Sequence, residues 1–198
     1  MSHLVDNSLE KLANCEFIFQ TNRTLEVRDA VIIWTNFKGE ANQFGNTTKN
    51  FNLVINEEVK NALEADPSKK IRVHSVGGSG PDDPIMYFIN VKINMTSAFP
   101  PAVTLYSDLN GKKSKVELDD GTIGCLDRID IESCDCIINL YENKMHPGTV
   151  SCYLKKLNII QSTANDFGGK YADWDIPANP ELVEQNAAFL DDNLPFGK

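Results

Sequence analysis

Two stretches of the chain set aromatic rings beside cations at turn-forming positions. The first runs from Trp34-Thr35-Asn36-Phe37-Lys38-Gly39 through Phe44 and Lys49 to Phe51, a strand-like segment that enters a polar, glycine-containing turn. The second is Tyr141-Glu142-Asn143-Lys144-Met145-His146-Pro147-Gly148, with Tyr153, Lys155 and Lys156 on the returning segment. Pro147-Gly148 reads as a hairpin turn, which brings Tyr141, Lys144 and Tyr153 close across it. A third basic group, Lys112, Lys113 and Lys115, follows Asn110-Gly111, another hairpin signal. Ring faces accept stacked bases and lysines meet phosphates, the two requirements for holding an unpaired nucleic-acid strand without regard to its sequence. The candidate contact residues are therefore Trp34, Phe37, Lys38, Phe44, Lys49, Lys112, Lys113, Lys115, Tyr141, Lys144, Tyr153 and Lys155.

Strict alternation puts Trp34 and Asn36 on one face of their strand and Ile33, Thr35 and Phe37 on the other, so one of the two aromatic residues lies outside the core. Trp34 is either that stacking platform or a core tryptophan with a partner for its N–H. Phe51 alternates with Leu53 and Ile55 and belongs to the core.

Catalysis has no comparable residue set. Cys125, Cys134, Cys136 and Cys152 lack the paired C-x2-C spacing of structural zinc, and Cys134 and Cys136 read as buried thiols on one strand face. Asp119, Asp120, Asp127 and Asp130 read as a solvated helix start, and His3, His74 and His146 stand apart from any nucleophile motif. Gly77-Gly78-Ser79-Gly80 lacks the Lys-Ser/Thr of a phosphate-binding loop. The expectation is a non-enzyme with neither metal nor cofactor.

Charge appears at first to oppose nucleic acid. The chain carries 19 basic and 28 acidic residues, a net −9. Residues 172–198 hold six of the acids against Lys198 alone, so −5 sits there and −4 on residues 1–171. Phosphate contact must then come from a local basic stripe, with strong salt sensitivity. No basic segment precedes an apolar run and no stretch approaches the ~20 apolar residues of a bilayer span. With five cysteines, an odd number, the expectation is a soluble protein of a reducing cytoplasm.

The elements that must position these residues are short runs rich in Val, Ile, Phe and Tyr, at 27–37, 51–55, 71–76, 85–95, 103–106, 136–141 and 150–160. Asn56-Glu57-Glu58-Val59 opens a short helix to Ala65, with an asparagine cap and an acidic first turn. A second helix is expected between Thr122 and Asp130, where Ile123, Leu126 and Ile129 recur at three-residue spacing. This predicts a mainly β protein, an antiparallel barrel or sandwich with one or two inserted helices, preceded by a leader over residues 1–23 and carrying its β domain over 24–171. Residues 172–198 turn to Asp, Asn, Pro and Ala and are expected to form a disordered acidic tail.

The tail ends in Asp191-Asp192-Asn193-Leu194-Pro195-Phe196, in which carboxylates attract a basic groove, Pro195 limits the entropy lost on docking and Phe196 fills a pocket. This tip resembles the C-terminal interaction peptide of bacterial single-stranded DNA-binding proteins, with Gly197 and Lys198 added after the phenylalanine. Asp191, Asp192, Leu194, Pro195 and Phe196 are the residues that match. The body is similar to a family of bacteriophage single-stranded DNA-binding proteins at Ile33–Gly39, Lys49–Val54, Tyr87–Ile93, Pro100–Val103, Gly124–Asp127 with Ile131, Tyr153–Lys156 and Lys170–Asp173. The resemblance implies an OB-like barrel that coats single strands in phage replication or recombination, with the tail recruiting replication or recombination proteins and homo-oligomers possible. The rival reading is a non-enzymatic interaction module whose acidic tail mimics nucleic acid.

Overall fold

The computed structural model describes residues 2–21, 23–41, 45, 47–65, 70–77, 84–109, 112–142 and 148–161. In chain order these form helix α1 (Ser2–Leu12), strands β1 (Glu16–Thr21), β2 (Thr24–Arg28), β3 (Ile32–Asn36) and β4 (Asn50–Ile55), helix α2 (Glu57–Glu64), strands β5 (Lys70–Ile71), β6 (Val73–Gly77), β7 (Ile85–Lys92), β8 (Ala102–Leu109) and β9 (Lys112–Leu118), a 3-10 helix (Ile123–Arg128), and strands β10 (Ile131–Glu142) and β11 (Thr149–Gln161). The expected acidic tail and its tip lie outside the described residues.

The strands follow the hydrogen-bonded path β1-β2-β10-β11-β7-β4-β3. Its position in the sequence makes this path a barrel, because β2 and β3 are consecutive halves of one bent strand. The bend is at Asp29, whose φ of 47° is a left-handed conformation that aspartate tolerates. One residue later the Ala30 N–H donates to Cys134 O of the β10 side at 2.6 Å, and Val31 O accepts from Val54 N of β4 at 2.9 Å. The chain thus leaves one barrel neighbour and joins the other within three residues. The circuit β2/β3-β4-β7-β11-β10 is antiparallel except between β7 and β11, which run parallel. That order, with the first strand shared and the third parallel to the fifth, is the OB arrangement, a five-stranded Greek-key barrel.

Alternation explains the interior. Leu25 and Val27 of β2, Phe51 and Leu53 of β4, Ile89 and Val91 of β7, Cys136 and Ile138 of β10, and Leu154 and Leu157 of β11 are all buried in one cluster. Phe37 joins them, fully buried and 6.0 Å from Phe51 between ring centroids. The 3-10 helix closes the barrel with Ile123 and Leu126. Helix α2 starts at Asn56, whose Oδ1 accepts from Val59 N at 2.8 Å, and buries Val59 and Leu63. Both inserted helices lie where the sequence put them, the second as a 3-10 turn.

The leader region is folded and docked on the barrel. Residues 2–21 fold as α1 and β1, although the sequence there shows no clear period. Val5, Leu9 and Leu12 fall at helical spacing and cover Val31, Ile33, Val54 and Met86 on the outside of the barrel, while β1 adds to β2. Elements later in the chain hold α1, and the adjacent strand β2 holds β1. Among the described residues no helix is long and apolar enough to cross a membrane.

A candidate nucleic-acid interface on the outer barrel face

The residues that alternate with the core point outward, and strand register aligns them into a row. Asn50 of β4 pairs with Lys92 of β7, Lys92 with Tyr153 of β11, Tyr153 with Asn139 of β10, and Asn139 with Thr24 of β2. Side-chain contacts follow the register. Lys92 Nζ lies 5.7 Å from the Tyr153 ring centroid, within cation–π range, and the Tyr153 and Tyr141 rings stand 6.1 Å apart. The Tyr141 hydroxyl accepts from Asn139 Nδ2 at 3.1 Å, which fixes the ring. Lys155 and Lys156 follow Tyr153 where the β10–β11 register slips, and both are exposed beside it.

A second ring group occupies the same face further back along β7. Phe88 stacks on His74 of β6 at 5.3 Å and 12° between planes, and Trp34 meets Phe88 edge-on at 5.0 Å. Trp34 is 45% exposed, so it is a surface ring rather than a core tryptophan. Trp34 and Phe37 thus lie on opposite sides of the strand, as alternation requires, although the β3–β4 register slips between Ile33 and Asn36, with Trp34 at a φ of 45° and Ile33 on the same outer side as Trp34. At the Lys92–Tyr153 end of the face lies a shallow groove of about 530 Å³ whose lining includes Lys49, Asn50, Asn90, Lys92, Asp120 and Tyr153.

Of the predicted contacts, Trp34, Tyr141, Tyr153 and Lys155 come together on this face. Phe37 does not: it is fully buried against Phe51, on the side of the strand opposite Trp34. Its backbone N–H and that of Lys38 donate to the Asp127 carboxylate at 3.0 and 2.8 Å, which ties the start of the β3–β4 connection to the 3-10 helix. Lys38 is exposed at that connection with Glu40 3.7 Å away. Lys49 lines the groove, but its ammonium is paired with Asp120 Oδ1 at 2.8 Å and donates to Asp120 O at 2.6 Å. Lys113 and Lys115 are exposed on β9, where Lys115 faces Tyr106 and Tyr106 faces Ile160 of β11. Ile160 is seven residues beyond Tyr153, roughly 23 Å at the rise of a strand, so this hairpin stands apart from the ring track. Lys112 is placed in β9 by its backbone. Phe44 and Lys144 lie outside the described residues.

The sequence did not single out His74, Phe88 or Lys92, which sit in apolar runs whose alternation cannot say which face is outward. Phe99 was missed as well: it is 93% exposed in the segment between β7 and β8, just beyond the groove-lining residues Asn94–Thr96.

Electrostatics separates this face from the thiols. Burial pushes Cys134 and Cys136 well above the ordinary thiol range and Cys152 up to about 12, which makes them inert core residues. Among the described residues no group of three His, Cys, Asp or Glu side chains converges as a metal site would need. Burial first and Arg72 second hold the His74 imidazole below its usual value, so it faces solvent as a neutral ring at pH 7.

A family model described as "Putative phage ssDNA-binding domain" matches residues 16–193. No curated protein matches the chain. Among solved structures, the single-stranded DNA-binding protein from bacteriophage Enc34 with a C-terminal truncation is 13% identical, with 70% of this chain and 86% of that chain covered and a TM-score of 0.39. The same phage's protein in complex with single-stranded DNA is 12% identical, with 75% and 96% covered and a TM-score of 0.36.

Proposed function

From the membership of this chain in the phage single-stranded DNA-binding domain family, we propose that it holds unpaired DNA on the outer barrel face just described. The observation that carries the reading is the pairing of Lys92 with Tyr153 across two strands distant in sequence, with Tyr141 beside them and Lys155 and Lys156 following. Tyr153 and Tyr141 offer ring faces to bases, and the lysines meet the phosphates that follow. Trp34, Phe88 and His74 extend the stacking surface. Phe99 and Lys38 belong to segments that flank the face, and Phe44 and Lys144 are further contacts proposed from the sequence. The role is binding without catalysis.

The finer role is the coating of single strands during phage replication or recombination in the host cytoplasm. The tail supports partner recruitment through Asp191, Asp192, Leu194, Pro195 and Phe196, on the chemistry of carboxylates, a rigid proline and an aromatic ring.

The test is a binding titration of oligo-dT against duplex of the same length across salt. Tight, steeply salt-dependent binding of the single strand, with Tyr153→Ala and Lys92→Gln each weakening it at least several-fold, is expected on the worth of one stacked base or one phosphate contact. Equal binding of duplex, or wild-type affinity in both variants, would overturn it.

A further inference from the structure

The outer face carries two ring groups, and what lies between them is neither ring nor cation. His74, Phe88 and Trp34 form one group, and Tyr153 and Tyr141 beside Lys92 the other. Phe88 and Lys92 are four residues apart on β7 and project from the same side, about 13 Å along the strand at its usual rise. Asn50, Asn52 and Asn90 fill this interval, and their amide donors turn inward. Asn90 Nδ2 donates to Oδ1 of Asn50 at 3.3 Å and of Asn52 at 3.1 Å, Asn52 Nδ2 reaches Trp34 O at 3.5 Å, and Asn50 Nδ2 donates to Thr48 O at 2.7 Å. Asn90 commits both of its amide hydrogens in this way and Asn50 and Asn52 one each, which leaves few donors for a base edge. The face ends at Phe88, because α1 covers its register partner Val54 on β4 and Met86, the next outward position of β7.

We infer that the single-stranded DNA site is bipartite, with bases stacking at two separate subsites while the asparagine floor holds these at a fixed interval without reading sequence. The inference rests on the proposed DNA-binding face and adds to it a minimum length and the reason for sequence tolerance. The 13 Å interval corresponds to roughly four nucleotides at the ~3.4 Å stacked spacing. A shorter oligonucleotide fills one subsite. A longer one fills both, the second contact being intramolecular and therefore strengthened by effective concentration.

The experiment uses the full chain carrying Trp174→Phe, so that Trp34 is the one tryptophan, and oligo-dT from ~2 to ~12 nucleotides at low salt. Affinity is expected to rise at least about tenfold in a narrow window near four to six nucleotides, with Trp34 quenching appearing in the same window. His74→Ala and Phe88→Ala, made separately so that one leaves the neighbouring strand untouched, should remove that step. Oligo-dA and oligo-dC should show the step at the same length. A smooth rise with length that both variants leave intact, while Tyr153→Ala still weakens binding, would sink the bipartite site and leave the DNA-binding face standing. Absence of binding to any oligonucleotide by the unsubstituted chain would instead remove the reading beneath it.

Discussion

Trp34 stands edge-on to Phe88, ring planes 77° apart and centroids 5.0 Å, and it reaches that position on a left-handed backbone with φ of 45°. For a bulky side chain this is a strained conformation, retained where the surroundings determine it. The ring and the strain can be separated by substitution. Trp34→Ala loses the ring and keeps the unfavourable φ, whereas Trp34→Gly loses the ring and relieves it. Trp34→Gly should therefore be more stable than Trp34→Ala by about 1 kcal/mol in urea unfolding, with single-strand affinity reduced equally in both. Equal stabilities would mean the backbone is not strained there.

The same segment continues into Phe37, and its burial gives an opposite expectation. Phe37→Ala removes a fully buried ring packed on Phe51 and should cost about 3–5 kcal/mol of stability. A Phe37→Leu variant keeps most of the volume and should bind DNA as the unsubstituted chain does. Loss of affinity in a stable Phe37→Leu protein would return this residue to the interface.

These two neighbours show what the sequence could and could not reveal. Alternation of Phe51, Leu53 and Ile55 identified the core side of β4, and the Asn56 cap with Glu57 and Glu58 located α2, because both signals are local. The slip at Trp34 is not local: it depends on the register with β4, and a strict period of two cannot anticipate it. Lys92 was hidden for a related reason. Its partner Tyr153 comes from a parallel pairing between strands separated by the β8–β9 hairpin, a 3-10 helix and β10, so neither residue signals the other. The hairpin signal at Asn110-Gly111 pointed to strand β9, Lys-Lys-Ser-Lys-Val-Glu-Leu, but its lysines conceal a strand with only Val116 and Leu118 packed on the core.

Asp127 connects the barrel cap to the segment that carries Trp34. Its carboxylate accepts from the N–H groups of Phe37 and Lys38, and Asp127→Ala leaves both without that acceptor. Destabilisation of about 1–3 kcal/mol is expected, together with faster hydrogen exchange at those two amides than elsewhere in the barrel. Unchanged exchange at both amides would show that the connection is held by other contacts.

His74 makes stability depend on pH in a defined direction. Burial and Arg72 lower its value below the ordinary 6.5, so between the native value and 6.5 the unfolded chain binds a proton that the native chain refuses. The contribution is therefore complete above pH 6.5 and is lost as pH falls through the native value. His74→Gln should lose less stability than the unsubstituted chain between pH 7.5 and 5.5, as read from urea midpoints. An equal loss in both would place the titration elsewhere.

Salt dependence distinguishes lysines that meet phosphate from those that only keep the surface charged. Lys92 lies against Tyr153, and Lys155 and Lys156 follow it, whereas Lys113 and Lys115 stand on β9 at the far end of β11. Each lysine that neutralises a phosphate of a single strand contributes about 0.7 to the slope of log affinity against log salt. Lys92→Gln and Lys155→Gln should each lower that slope by about this amount, and Lys113→Gln and Lys115→Gln should leave it unchanged. Lys49 is the informative intermediate. It lines the groove, yet its charge is met by Asp120 at 2.8 Å, so Lys49→Gln should alter the slope less than Lys92→Gln does. Asp120→Asn should raise affinity, since Lys49 would keep its bond to Asp120 O while its charge became available to the strand. A slope lowered by Lys113→Gln and Lys115→Gln but not by Lys92→Gln would move the phosphate path from the ring track to the hairpin.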